Sequence, residues 1–374
     1  MTATGPGAVD DLRHMRAALA LASRGLGTTW PNPAVGCVLV HDGVVVGRGF
    51  TQPGGRPHAE TVALAAAGAE ARGATAYVSL EPCSHHGRTP PCADALVEAG
   101  VARVVVACED PDPRVSGRGV ARLRAAGIPV TTGVCAAEAW RLNQGFFNRI
   151  LHDRPLFTLK LATTLDGRIA VHTGESKWIT GETARAWGHA LRARNDAIMV
   201  GIRTALADDP ELTCRLPGLA HRSPVRVVVD SRLRLPLTGR LVAGAKAQPT
   251  WIVTRNDHDR QRGAALVDCG VELIPVAPDA AGLPDIVLAA GELARRGVTR
   301  VLVEGGATLH ASLLRAGLAD RLEWFRAAGV IGGDGVAAVA GFGVDRLDLM
   351  VRFEREAVRL AGGDLVESYA RRDT

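Results

Sequence analysis

The sequence predicts an α/β protein built as two successive domains, and three observations carry that expectation. A chain of 374 residues exceeds what one hydrophobic core normally organises. Short β-type runs alternate with helical segments along it, the pattern of layered α/β folds. The alternation breaks clearly once, at Leu151-His152-Asp153-Arg154-Pro155, which places the domains at residues 1–150 and 151–374. Neither an internal repeat nor a long linker interrupts the chain.

Taken in order, residues 10–26 read as an amphipathic helix. Leu12, Met15, Leu19 and Ala22 recur at helical spacing, and Gly25 and Gly27 end it. Val35–Val40 and Val44–Gly49 flank His41-Asp42-Gly43, a hairpin signal. An alanine-rich helix at 59–71 and a strand at 76–80 lead into a loop rich in Pro, Gly and Cys. Helix 93–99, strand 101–107, helix 117–126 and strand 128–132 complete a layered α/β sandwich. The second half offers strands at 156–162, 197–200, 225–229, 250–253, 272–276 and 300–303, with helices at 285–296 and 308–316.

Composition removes several classes of function. Apolar residues at 47% and charged residues at 22% exclude a mainly disordered chain. The most apolar stretch, 327–344, is glycine-rich and carries Asp334, short of the ~18–20 unbroken apolar residues of a membrane helix. Asp10 and Asp11 stand where a signal peptide would place positive charge, so a cytoplasmic protein is expected. Seven scattered cysteines argue for reduced thiols, some of them metal ligands. The formal charge of +5 comes without a basic run, which disfavours nucleic acid and suits small phosphorylated molecules. Of 44 basic residues only Lys160, Lys177 and Lys246 are lysines. The pair at 160 and 177 are either chance survivors of an arginine bias or positions that need a compact ammonium.

The first chemical signal joins His58-Ala59-Glu60 to Pro82-Cys83 and Cys92. One imidazole and two thiolates give zinc three protein ligands and leave a fourth position open, the arrangement of a catalytic site. Glu60, two residues from His58, can take a proton from water and pass it to a leaving amine. This is the pattern of zinc nucleobase deaminases. The alternative is a closed structural site, with His85 or His86 as fourth ligand. Eight residues separate the two cysteines, so the loop between them is expected to wall the pocket and favour a small substrate. Asn32, held between Pro31 and Pro33, suits a hydrogen bond to a base edge.

The second signal is weaker. Arg300–Val303 runs into Glu304-Gly305-Gly306 and a helix, and such a junction lets an anion meet free backbone N–H groups. Glu304 stands at the carboxyl end of that strand, where α/β sheets place ligands. Trp178 reads either as core or as an indole over a nicotinamide, and Asp208-Asp209-Pro210 as a helix end or a site. Asp230 could bond an unphosphorylated ribose, whereas Ser231 and Arg232 could receive a 2′-phosphate.

With Pro31-Asn32-Pro33-Ala34-Val35-Gly36-Cys37 upstream, the Cys83–Cys92 segment resembles the bifunctional riboflavin-biosynthesis deaminase–reductases, and the likeness extends over about residues 10–370. That resemblance implies a cytidine-deaminase-like α/β/α sandwich followed by a dihydrofolate-reductase-like α/β domain. It also implies one zinc ion on His58, Cys83 and Cys92 in the deaminase domain, Glu60 as proton carrier, and Asn32 at the pyrimidine. The second domain would use NADPH, met by Ala162, Trp178, Thr204, Asp208, Ser231 and the turn Gly306-Ala307-Thr308. Ser176, Arg192, Leu212, Arg215 and Glu304 would meet the phosphoribosyl substrate, with Lys160 and Asp208 assisting proton transfer. The expected partners are this phosphorylated pyrimidine and further copies of the chain, with neither nucleic acid nor membrane.

Overall fold

The computed structural model describes residues 6–84 and 90–372. They divide into two compact units, Met1–Asp153 and Arg154–Thr374. The boundary expected after residue 150 falls inside the last turn of a helix that runs to His152, so the division lies three residues later.

The first unit holds α1 (Pro6–Ala22), β1 (Gly36–His41), β2 (Val44–Phe50), α2 (Ala59–Ala67), β3 (Thr75–Val78), α3 (Cys92–Ala99), β4 (Arg103–Val106), α4 (Arg118–Ala125), β5 (Val130–Thr132) and α5 (Ala136–His152). Its sheet has the order β2-β1-β3-β4-β5, antiparallel across β2, β1 and β3 and parallel from β3 to β5. Strand alternation sends Cys37 and Leu39 into one core with α2, α3 and α4, and Val38 and Val40 into another with α1. Burial on both faces explains why these strands read as unbroken apolar runs. Gly49 lets α2 lie directly on β2, since a Cβ there would meet the Ala59 carbonyl oxygen at 2.2 Å. This contact seats the helix end that carries His58 and Glu60.

The second unit holds β6 (Leu156–Thr163), β7 (Arg168–Ala170), α6 (Glu182–Arg192), β8 (Ala197–Gly201), α7 (Ile202–Asp208), β9 (Val225–Val229), α8 (Arg240–Ala243), β10 (Thr250–Arg255), α9 (Arg260–Asp268), β11 (Glu272–Val276), α10 (Ile286–Arg295), β12 (Arg300–Val303), α11 (Ala307–Arg315), β13 (Ala319–Arg326), β14 (Val336–Ala337), β15 (Phe353–Ala361) and β16 (Asp364–Arg371). Nine strands form one sheet in the order β11-β10-β9-β8-β12-β6-β13-β16-β15. It is parallel as far as β13 and closes with an antiparallel hairpin.

Two carboxylates fix its centre. Asp196 accepts from the Thr299 N–H and hydroxyl at 2.7 Å each and from the Arg300 N–H at 3.0 Å, joining β8 to β12. Asp320 takes both prongs of Arg154 at 2.8 Å and the Phe157 N–H at 2.9 Å, locking the start of this unit. Among the described residues, no helix is long and apolar enough to cross a membrane.

Candidate functional sites

In the first unit, two helix N-termini converge on the expected metal ligands. His58 caps α2, and Cys92 is the first residue of α3, behind Pro91. His58 Nδ1 lies 3.3 Å from Cys92 Sγ and 3.7 Å from Cys83 Sγ, and the Cys92 N–H donates to Cys83 Sγ at 3.3 Å. Tetrahedral zinc with bonds near 2.0–2.3 Å sets its donors roughly 3.5–3.8 Å apart, so the three residues fit that ion. Hydrogen bonding from the Cys92 thiol, against the cost of burial and aided by His58, holds the Cys83 thiol down at about 4. Positive helix ends favour thiolate in the same way.

Glu60 lies in the first turn of α2, 3% exposed, and burial beside Cys83 pushes its carboxyl up to about 7. That suits a group that must both take and return a proton near neutrality. A cavity of about 190 Å³ opens over His58, Glu60 and Cys83, with Asn32, Asp110 and Arg149 in its wall. Asn32 packs flat on Gly55, where a Cβ would fall 1.9 Å from its amide nitrogen and where φ is +82°. His85 and His86, weighed as fourth ligands, lie outside the described residues, as does the middle, 85–89, of the loop 84–91 expected to wall the pocket.

Glu81, quoted in the motif without a role, is the most heavily used carboxylate here. It accepts from the backbone N–H groups of Asp110 (3.3 Å), Gly117 (2.9 Å), Gly119 (2.8 Å) and Val120 (3.1 Å). It thereby ties the zinc-side loop to the segment carrying Asp110, Asp112 and Arg114. Only its place before Pro82-Cys83 could have flagged it. The remaining cysteines, Cys37, Cys108, Cys135, Cys214 and Cys269, are free thiols.

In the second unit, Glu304 at the end of β12 takes both Nε (2.7 Å) and Nη2 (2.9 Å) of Arg192 from α6. Lys160 Nζ on β6 lies 3.8 Å away. Burial would raise the Glu304 carboxyl, but the charges of Arg192 and Lys160 override it and hold it at about 2. Arg192 also donates to the Thr213 carbonyl at 2.9 Å, and the Arg215 N–H donates to His189 Nδ1 at 3.3 Å. The lysine at 177 likewise meets an expected site residue, Asp208, at 3.9 Å.

A second cavity, of about 540 Å³, is lined by Thr204, Ser231 and the Gly306-Ala307-Thr308 turn, together with Arg232 and Arg234. Three expected cofactor residues, Ala162, Trp178 and Asp208, do not line it. Ala162 packs against the Phe325 cluster, and Trp178 is 69% exposed with the Arg185 guanidinium 4.6 Å from its ring. The core reading of Trp178 is therefore wrong. Leu212 is 3% exposed at φ +54°, and its side chain belongs to the core. Ser176 is half-buried just before Lys177. Asp230 has no exposed surface, and it accepts from the Leu235 N–H at 3.0 Å and the Arg232 N–H at 3.4 Å. Its carboxylate is spent on its own turn and is not available to a ribose.

Comparison with known proteins matches both domains. Residues 8–108 match the cytidine and deoxycytidylate deaminase zinc-binding region, and residues 155–366 match the RibD C-terminal domain. The riboflavin biosynthesis protein RibD of Aquifex aeolicus is 40% identical over 361 residues, 96% of this chain and 98% of that protein. RibD of Escherichia coli is 42% identical over 370 residues, again 96% and 98%. The solved structure of Acinetobacter baumannii RibD superposes with a TM-score of 0.87 at 39% identity, covering 98% of this chain and all 100% of that one. A Thermotoga maritima structure described as a diaminohydroxyphosphoribosylaminopyrimidine deaminase/5-amino-6-(5-phosphoribosylamino)uracil reductase gives 0.85 at 33% identity, covering 98% and 99%. With a zinc-binding deaminase domain followed by an NADPH-dependent reductase domain, the chain belongs to the bifunctional RibD family of riboflavin biosynthesis.

Proposed function

We propose that this chain carries out its two steps with the residues assembled above, on 2,5-diamino-6-ribosylamino-4(3H)-pyrimidinone 5′-phosphate. The observation that carries the reading is the convergence of His58 Nδ1, Cys83 Sγ and Cys92 Sγ, within 4.8 Å of one another, beside the cavity that His58, Cys83 and Glu60 line. Zinc held there supplies the Lewis acidity that makes hydroxide available near neutral pH. Glu60 receives the proton released from water and delivers it to the departing ring amine, and Asn32 hydrogen-bonds the pyrimidine edge.

In the second domain, Arg192, Arg215 and Glu304, with Ser176 and the Leu212 backbone, hold the phosphoribosyl group. Thr204, Ser231 and the Gly306–Thr308 turn hold NADPH, with Ala162, Trp178 and Asp208 completing that set when the cofactor is seated. Lys160 and Asp208 move protons as the ribose ring opens and hydride reaches the anomeric carbon. The spent carboxylate of Asp230 and the neighbouring Ser231, Arg232 and Arg234 favour a 2′-phosphate over a bare ribose. The enzyme works in the cytoplasm as a homo-oligomer, without nucleic acid or membrane. A charge without a basic run supports the absence of nucleic acid, and light scattering of the purified chain tests the assembly.

Product mass spectrometry, once without nicotinamide and once with NADPH, tests the whole. Exchange of amine for oxygen in the first tube and added hydrogen on the sugar only in the second is the expected result. Deamination without any NADPH consumption would overturn the second half.

A further inference from the structure

Arg149 stands in the wall of the deaminase cavity with a charge that Asp112 and Asp153 answer only from a distance. It projects from α5 into the wall that also carries Asn32 and Glu60. Among the described residues it makes no ion pair. Its Nη2 donates only to the Pro31 carbonyl, at 3.4 Å, and its buried Nε has no hydrogen-bond partner. A desolvated donor left empty is costly, more so when it is charged. A second guanidinium, Arg114, stands in the same wall and its charge acts on Arg149. Arg114 already holds Asp112, with Nε 2.9 Å from Oδ1 and 3.0 Å from Oδ2. The Arg114 charge acts on Arg149 more strongly than the opposing charges of Asp112 and Asp153, so the two like charges still disfavour each other. An anion bound there would relieve both the repulsion and the unfilled donor.

The substrate of the proposed deamination carries a single anionic group. We propose that Arg149, with Arg114 beside it, is the anion subsite of the deaminase cavity and takes the 5′-phosphate while Glu60 attends to the ring amine. A planar guanidinium matches a phosphomonoester by paired N–H···O bonds. Arg149 touches Pro31 and Asn32 follows directly, so phosphate and base edge would be read by adjoining parts of one wall. This subsite rests on the functional reading above and sharpens it: the deaminase step would select for phosphate before the reductase sees the product.

The test uses the full zinc-loaded chain without NADPH, given the ribosyl 5′-phosphate and its dephosphorylated analogue. Wild-type kcat/KM should favour the phosphorylated compound by about 10- to 100-fold, the range of a charged hydrogen-bond pair. Arg149→Met should lose most of that preference, with both proteins converging on the dephosphorylated compound. Arg149→Lys, which keeps charge without the fork, should fall between them. A variant that keeps the full preference, or loses equally on both compounds, overturns the subsite. Should Arg149→Met not fold, inorganic phosphate decides the matter on the wild type and Arg149→Lys. Competitive inhibition that weakens in the lysine variant supports the subsite, and equal inhibition overturns it. A wild type inert on both compounds overturns the functional reading itself, which is a different failure.

Discussion

The two sites solve opposite problems. The deaminase site is built from few donors on helix ends and a short loop, around a cavity of about 190 Å³. The reductase site is built on a buried charge cluster, Arg192–Glu304–Lys160, near a cavity of about 540 Å³. The first sets three metal donors around one point, and its chemistry depends on the ion they would hold. The second arrives with its charges already paired, so its framework stands without a ligand. A metal centre compresses its requirements into residue types at fixed spacing. A dinucleotide site spreads them over backbone and surface from many elements.

This contrast can be broken most sharply by removing zinc. Chelation should abolish deamination, followed as loss of amine from the product, while NADPH oxidation with pre-deaminated substrate continues. Zinc should restore the first activity. Parallel loss of both would show that the sites are not separable. Next in size, Glu60→Gln should lower the deamination rate by about 10²- to 10⁴-fold with zinc content unchanged by metal analysis. Loss of zinc along with activity would reassign Glu60 to holding the metal.

On the reductase side, Arg192→Met strands a buried carboxylate and should cost about 3–5 kcal/mol, read as a lower unfolding midpoint of the second unit. The double variant Arg192→Met/Glu304→Leu should recover much of that stability without recovering NADPH oxidation. The same pair sets an acid limb. The Glu304 carboxyl is held at about 2 against its ordinary 4.5, so the native state resists the proton that the unfolded chain accepts. Its stabilisation is present above pH 4.5 and is lost as pH falls towards 2. Glu304→Gln should flatten that part of the pH–stability curve. The smallest effect belongs to Ser231→Ala, which should raise the KM for NADPH about 3- to 10-fold, the worth of one hydrogen bond, and leave deamination untouched.

The zinc site was legible because His58, Glu60, Cys83 and Cys92 are themselves the chemistry and sit on strongly patterned elements. Central strands such as β8, β9 and β12 were equally plain, since burial on both faces demands apolar runs. The edge hairpin was not. β15 reads FEREAVRLA and is mostly exposed, with the charges that protect sheet edges in place of alternation. α5 was missed because Asn143 and Gly145 interrupt its helical pattern, yet both are buried. Asn143 holds the Ala34 N–H and carbonyl at 2.9 and 3.0 Å. Leu212 and Trp178 show the other limit. Their side chains do not reach the cavity, so whatever they offer a ligand depends on backbone position or on rearrangement, neither of which residue type encodes.

The four N–H groups that Glu81 gathers come from main chain, which every residue type but proline supplies. The wall facing the substrate is therefore fastened at its two ends by a grip indifferent to side-chain identity. The exceptions are Gly117, whose φ of +74° favours glycine, and Gly119, where a Cβ would come within 2.0 Å of the Pro82 carbonyl. Residues 111–116 thus form a stretch on which new substrate preferences can be written by mutation while the metal-side loop stays anchored. A deaminase with altered choice of ring substituent is best sought there, with Glu81 and Gly119 kept.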